Sequence, residues 1–133
     1  MRVLVAGGGT GGHLYPGIAV AQEIKARRPD AEVVFVGTVH GIESRIIPRE
    51  GFPLEVIRSG GLKGKSLMGI FYGLVLLPLS ALDAWRVLSR WSPEVVIGVG
   101  GYSSGPVVLL ASFRGIPTLL LEQNAMPGFT NRL

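Results

Sequence analysis

The chain has 133 residues, a net charge of +4, 47% hydrophobic residues and only 17% charged ones; that length fits one domain with its own core, and so little charge leaves apolar surface to face something other than water. It contains no cysteine, which excludes disulfides and thiolate chemistry and fits a reducing cytoplasm. The basic residues are scattered rather than run together, which suits an anionic partner such as a phosphate or an acidic lipid and argues against a nucleic-acid arm, while the short apolar run of MRVLVAGGG is no secretory signal.

Arg2-Val3-Leu4-Val5-Ala6 reads as a buried strand ended by glycine. The glycine-dense stretch GGGTGGHLYPG follows over residues 7–17, with Pro16 suited to the first turn of a helix that runs to Arg27-Arg28 and stops at Pro29. Val20 and Ile24 can share that helix's buried face. Glu32 to Val36 is a second strand ended by Gly37; Ile42 to Arg49 is a short helix broken near Pro48; Leu54 to Ile57 is a third strand. Leu67 to Trp91 reads as one long helix, bent at Pro78. Glu94 to Ile97 is a fourth strand, followed by the loop Gly98 to Pro106, a helix over Val107 to Phe113, and a fifth strand from Thr118 to Leu121. Strands apolar on both faces and alternating with helices predict an α/β domain built on a doubly wound, Rossmann-like parallel sheet. The sequence stops at Asn131-Arg132-Leu133 without a closing helix or polar tail, so residues 1–133 are expected to be one domain of a longer protein.

The first glycine loop falls at the carboxyl end of the first strand and leads into a helix, the place where ligands bind in open α/β sheets. Glycines let the backbone approach a ligand closely, and amides at the following helix N-terminus attract anions, so the loop is expected to expose a row of donors. Gly7, Gly9 and Gly12 satisfy G-x-G-x-x-G, but the second strand ends Val36-Gly37-Thr38, with no acidic residue for a nicotinamide ribose. No Lys-Ser/Thr follows the loop, so it is not a nucleoside-triphosphate loop either. The second loop repeats the logic with Gly100, Gly101, Tyr102, Ser103 and Ser104; the two loops can hold one diphosphate between them, or Ser103 or Ser104 can simply cap the next helix. His13, an imidazole that can accept or donate a proton, is a candidate general base, a ligand-positioning group or a structural ring. His40 reads as a surface residue. Glu122 reads as the one carboxylate near the carboxyl edge of the sheet. No cluster has metal-ligand spacing, and no cofactor is implied.

GGTGGHLYPG after the first strand, GGYSSGP after the fourth and LEQN after the fifth resemble the MurG family of bacterial UDP-N-acetylglucosamine transferases, as do Gly37-Thr38 and the stretch Ser59 to Lys65. The resemblance spans all 133 residues but only the N-terminal, acceptor-binding half of a two-domain GT-B glycosyltransferase. It implies inverting, metal-independent transfer of GlcNAc from UDP-GlcNAc to the 4-hydroxyl of a muramyl-pentapeptide carried on undecaprenyl diphosphate (lipid I to lipid II, in peptidoglycan synthesis). It implies that His13 lies at the reaction centre, that Thr10, Gly11, Gly12 and Asn124 touch the donor, and that Gly100, Gly101, Tyr102, Ser103, Ser104, Glu122 and Gln123 belong to the substrate site. Most of the UDP-sugar would be held by a C-terminal domain absent from this chain. The family often has histidine where this chain has Leu121, so no role of that histidine carries over.

An acceptor on a polyprenyl chain stays in the bilayer. Seventeen residues from Ser66 to Leu82 carry no charge, the lower limit for a membrane span, yet Gly69, Gly73, Pro78 and the mid-domain position argue against one. Met68, Phe71, Tyr72, Val75, Leu79 and Leu82 fall at helical spacing on one side, and Leu74, Leu77 and Trp85 on another, flanked by Lys63, Lys65, Arg86 and Arg90. A helix apolar all round is either buried or has one face in lipid. The expectation is a peripheral patch on the cytoplasmic side of an anionic bacterial membrane. The alternative reading is the non-catalytic, membrane-anchoring half of a split lipid-linked GlcNAc transferase.

Overall fold

In the computed structural model the described residues are 1–8, 11–38, 41–58, 67–101 and 104–121, with side chains described from residue 78 onward in the long helix. They form β1 (Arg2–Gly7), α1 (Gly11–Arg27), β2 (Glu32–Gly37), α2 (Glu43–Arg49), β3 (Leu54–Val56), α3 (Leu67–Trp91), β4 (Val95–Gly100), α4 (Ser104–Phe113) and β5 (Thr118–Leu120). The strands make one parallel sheet in the order β3-β2-β1-β4-β5.

The alternation of side chains along each strand sorts the core into two layers. Val3, Val5, Val33, Phe35, Ile97 and Val99 point to the face covered by Leu14, Ile18 and Ala21 of α1 and Ile47 of α2. Leu4, Ala6, Val34, Val36 and Val96 point to the face covered by Ala84, Val87 and Leu88 of α3 and Val107 and Ala111 of α4. The chain winds outward from β1 to β3 under one helical layer, then returns through α3 to the other side of β1 under the second. Right-handed crossovers require that change of face when the direction of winding reverses, and the reversal falls between β1 and β4.

Two sequence expectations shift. Pro16 does not open its helix: α1 begins at Gly11 and Pro16 lies inside it. Its missing N–H omits only the bond toward the Gly12 carbonyl. The second loop is also much shorter than Gly98 to Pro106. Gly98 pairs with Ala6 on one side and Leu120 on the other, so strand neighbours on both sides hold glycines that intrinsic preference would send into a loop. Pro106 is accommodated in the first turn of α4, where an N–H has no helical partner to lose. Val20 and Ile24 lie on the expected face of α1, partly buried against the cluster of Leu14, Ile18 and Ala21.

Candidate functional site

The carboxyl rim of the sheet brings the β1–α1 and β4–α4 turns together. Gly100 and Gly101 hold φ of +100° and +91°, a region that costs other residues strain, so β4 can turn sharply across the rim. Gly8 fits its place for lack of a side chain: a Cβ there would stand 2.7 Å from Glu43 Oε2. Its N–H donates to the Gly100 carbonyl at 3.1 Å. That bond corrects the expectation of a free row of donors, because this amide ties the two turns to each other. Among the described residues, the anion-attracting feature on the β1 side is the N-terminus of α1, whose first turn contains no acidic residue.

His13 sits in that first turn, half-buried. Its Nδ1 lies 3.3 Å from the Val99 carbonyl oxygen, and the ring rests against Gly100, where a Cβ would come within 2.5 Å of Nδ1. A carbonyl oxygen can only accept, so Nδ1 carries the proton and donates it. In the neutral ring Nε2 then holds the lone pair, the arrangement a general base needs. Gly11 and Gly12 precede His13 in the first turn of α1, and Gly101, beyond β4, packs against the Gly8 backbone.

Ser104 opens α4, its N–H donating to the Gly101 carbonyl at 3.4 Å. Its hydroxyl is buried and has no hydrogen-bond partner among the described residues. It lines a cavity of about 200 Å³ on the β5 side of α4 with Val108, Leu109, Ser112, Thr118 and Leu120, a space that takes no residue from the β1–α1 turn. Thr10, His40, Tyr102, Ser103, Glu122, Gln123 and Asn124 lie outside the described residues.

The sequence reading of a single carboxylate near this edge, Glu122, is corrected by a second one that the structure brings there. Glu43, the first residue of α2, is 1% exposed. Its Oε1 accepts from the Thr38 N–H at 2.9 Å and from the Thr38 hydroxyl at 3.4 Å. Three glycines, Gly8, Gly37 and Gly41, leave it room. One signal was present in the sequence, a carboxylate six residues beyond the glycine that ends a buried strand; only the fold shows that the chain turns back over it.

In the second half of α3, Ser80, Ala84, Val87 and Leu88 face the sheet. Leu79 is half-buried, whereas Leu82 and Trp85 are 43% and 48% exposed. Three residues apart, these two share one outward face, as their joint assignment to the patch expects, although the spacing alone set Trp85 on another side. The side chains of Met68, Phe71, Tyr72 and Val75, and the loop with Lys63 and Lys65, are outside the described residues. The Arg114 guanidinium stacks 4.6 Å from the Trp85 ring centre, a cation the sequence did not link to the patch, and Phe113 beside it in sequence is 84% exposed. Arg90 is engaged with Glu55 at 2.9 Å. Among the described residues no helix is long and apolar enough to cross a membrane.

A parallel sheet whose winding reverses between β1 and β4, with glycine turns and a half-buried histidine crowding the rim at that point, defines a doubly wound α/β ligand-binding domain of the kind that seats its ligand at the topological switch. Comparison with known proteins narrows this class. The chain belongs to glycosyltransferase family 28, matching its N-terminal domain over residues 3–133. It is 57% identical, over all 133 residues, to the UDP-N-acetylglucosamine–N-acetylmuramyl-(pentapeptide) pyrophosphoryl-undecaprenol N-acetylglucosamine transferase of Myxococcus xanthus, and 58% identical to the protein of that name from Anaeromyxobacter dehalogenans. It covers 35% of the length of each. The crystal structure of Acinetobacter baumannii MurG superposes on 98% of the chain with a TM-score of 0.79 at 31% identity, the match taking up 36% of that protein.

Proposed function

We propose that this chain is the acceptor-side, N-terminal part of an inverting transferase that moves GlcNAc from UDP-GlcNAc to the 4-hydroxyl of a muramyl-pentapeptide on undecaprenyl diphosphate. Family membership and the names of the relatives support the substrate pair. The observation that carries the mechanism is the bond from His13 Nδ1 to the Val99 carbonyl, which leaves Nε2 as an acceptor at the switch point. As the acceptor oxygen bonds to C1 of GlcNAc, the C1–O bond to the diphosphate breaks and UDP leaves with its electron pair. His13 Nε2 takes the hydroxyl proton. The positive ends of α1 and α4 favour diphosphate charge at this rim. Thr10, Gly11, Gly12 and Asn124 on the donor side, and Gly100, Gly101, Tyr102, Ser103, Ser104, Glu122 and Gln123 around the acceptor, are assigned by their match to the family's motifs. Most of the UDP-sugar is assigned to the part of the relatives that lies beyond this chain.

The same reading places the protein on the cytoplasmic face of an anionic membrane, docked through Leu82, Trp85 and Phe113, with Leu79, Met68, Phe71, Tyr72 and Val75 assigned to the patch from sequence. The mechanism is tested by His13→Ala in the full-length transferase that contains this chain, assayed with a soluble lipid I analogue. The kcat is expected to fall at least tenfold, about 1.4 kcal/mol or more of transition-state stabilisation, with the fold unchanged by circular dichroism. Undiminished turnover would remove His13 from the chemistry.

A further inference from the structure

We infer that Glu43 is a positioning residue for this transfer: its carboxylate supports the turn at Gly8 against Gly100 and thereby fixes the ring of His13. The inference rests on the reading of His13 as the base. Glu43 is the one charged residue in the buried set among the described residues, and a carboxylate taken out of water must be held by hydrogen bonds. Closing the β2–α2 turn accounts for Oε1, which accepts from Thr38. The Oε2 of Glu43 lies against Gly41 of that turn and also reaches the neighbouring turn, where it stands 2.7 Å from where a Cβ on Gly8 would be.

From Gly8 the contacts continue to the base. The Gly8 N–H donates to the Gly100 carbonyl at 3.1 Å, Gly100 lies directly beneath the His13 ring, and that ring is tethered to Val99, the residue before Gly100. Each link between Glu43 and His13 is backbone, of Gly8, Gly100 and Val99, with no flexible side chain to absorb a displacement. Truncating Glu43 removes the support on the β2 side of Gly8, so the turn can settle, Gly100 follows, and the Val99 carbonyl no longer meets Nδ1 in one geometry. A base whose tautomer is unfixed presents Nε2 unprotonated only part of the time.

The test compares Glu43→Ala and Glu43→Gln by two readouts. In the full-length transferase, Glu43→Ala is expected to lower kcat about tenfold with the acceptor KM changed less than about threefold. Glu43→Gln keeps the volume and an oxygen that accepts from Thr38, and is expected to restore kcat to within about threefold of the parent. In the 133-residue chain, nitrogen NMR of neutral His13 is expected to show the Nδ1–H tautomer in the parent and in Glu43→Gln, and a mixture of tautomers in Glu43→Ala. If the alanine variant does not fold, Glu43→Asp, which draws the carboxylate back by one methylene, takes its place in both measurements with the same expected losses. A kcat within twofold of the parent, a glutamine variant as slow as alanine, or an unchanged tautomer would overturn the inference. The NMR readout needs no turnover, so it decides the role of Glu43 even if His13→Ala shows the base reading to be wrong.

Discussion

Gly8 is the residue at which the two glycine turns are most tightly engaged. Its φ of +136° lies in a region that costs a non-glycine residue about 1–3 kcal/mol. A Cβ would meet the Glu43 carboxylate on one side while the backbone remains tied to Gly100 on the other. Gly8→Ala is therefore expected to lower the melting temperature by several degrees and to reduce turnover by more than the stability loss explains, because the displaced turn carries Gly100 and His13 with it. Thermal melts and steady-state kinetics on the same preparation check both parts; an alanine variant that is less stable yet fully active would uncouple the turn from the base. The glycine motif and His13 were legible from sequence because unusual density at the end of a buried strand has few other uses. Glu43 was not, since a lone glutamate at the start of a short helix looks like an ordinary favourable charge near a helix dipole. Its burial is decided by glycines distant in the chain.

At the scale of elements, strand and helix order could be read because apolar β-branched runs alternate with longer helical stretches. The misplaced boundaries are those where pairing overrides local preference, at Gly98 to Gly100, and where a proline is tolerated inside a helix, at Pro16. What sequence could not supply is the latch that fixes α3 to the end of β3. The Arg58 guanidinium donates to both oxygens of Asp83, from Nε at 2.9 Å and Nη2 at 2.8 Å, and the Arg58 N–H adds a third bond at 2.8 Å. The Ser80 hydroxyl donates to the Arg58 carbonyl. The Arg58 hydrogen bonds hold the Asp83 carboxyl below its ordinary value of 3.8, against the opposing effect of burial. Because the folded value is the lower one, the latch stabilises the fold fully above the unfolded pKa, about 3.9. That contribution is lost as pH falls through the folded value. Urea melts from pH 7 to pH 3 should show the parent more stable than Asp83→Asn at neutrality, with the gap closing below about pH 4. A gap independent of pH would mean that Asp83 acts by packing and not by charge.

The proposed function asks the whole molecule to reconcile a water-exposed rim with a substrate that cannot leave the bilayer, and among the described residues its surface offers one place to do so. Leu82 and Trp85 point outward from α3, Phe113 is nearly bare at the end of α4, and Arg114 joins the two helices by stacking on Trp85. Inserting these three side chains removes roughly 300 Å² of apolar surface from water, about 7 kcal/mol before the entropy of immobilisation is subtracted. Arg86 and Arg114 each add about 1 kcal/mol on an anionic surface, whereas Arg90 adds less because Glu55 already holds it. That sum suits reversible attachment, not permanent insertion. Replacing Leu82 and Trp85 together with glutamate removes more than half of the apolar area and places charge against lipid, so partition onto phosphatidylglycerol-rich vesicles should fall on the order of 100-fold. Parent binding should also weaken as salt screens the arginines and on purely zwitterionic vesicles. Co-sedimentation with the two vesicle types, alongside circular dichroism to verify folding, makes the comparison. A folded double variant that still sediments with the anionic vesicles would move the docking surface away from the Leu82 and Trp85 face of α3, and with it the orientation proposed for this rim at the membrane.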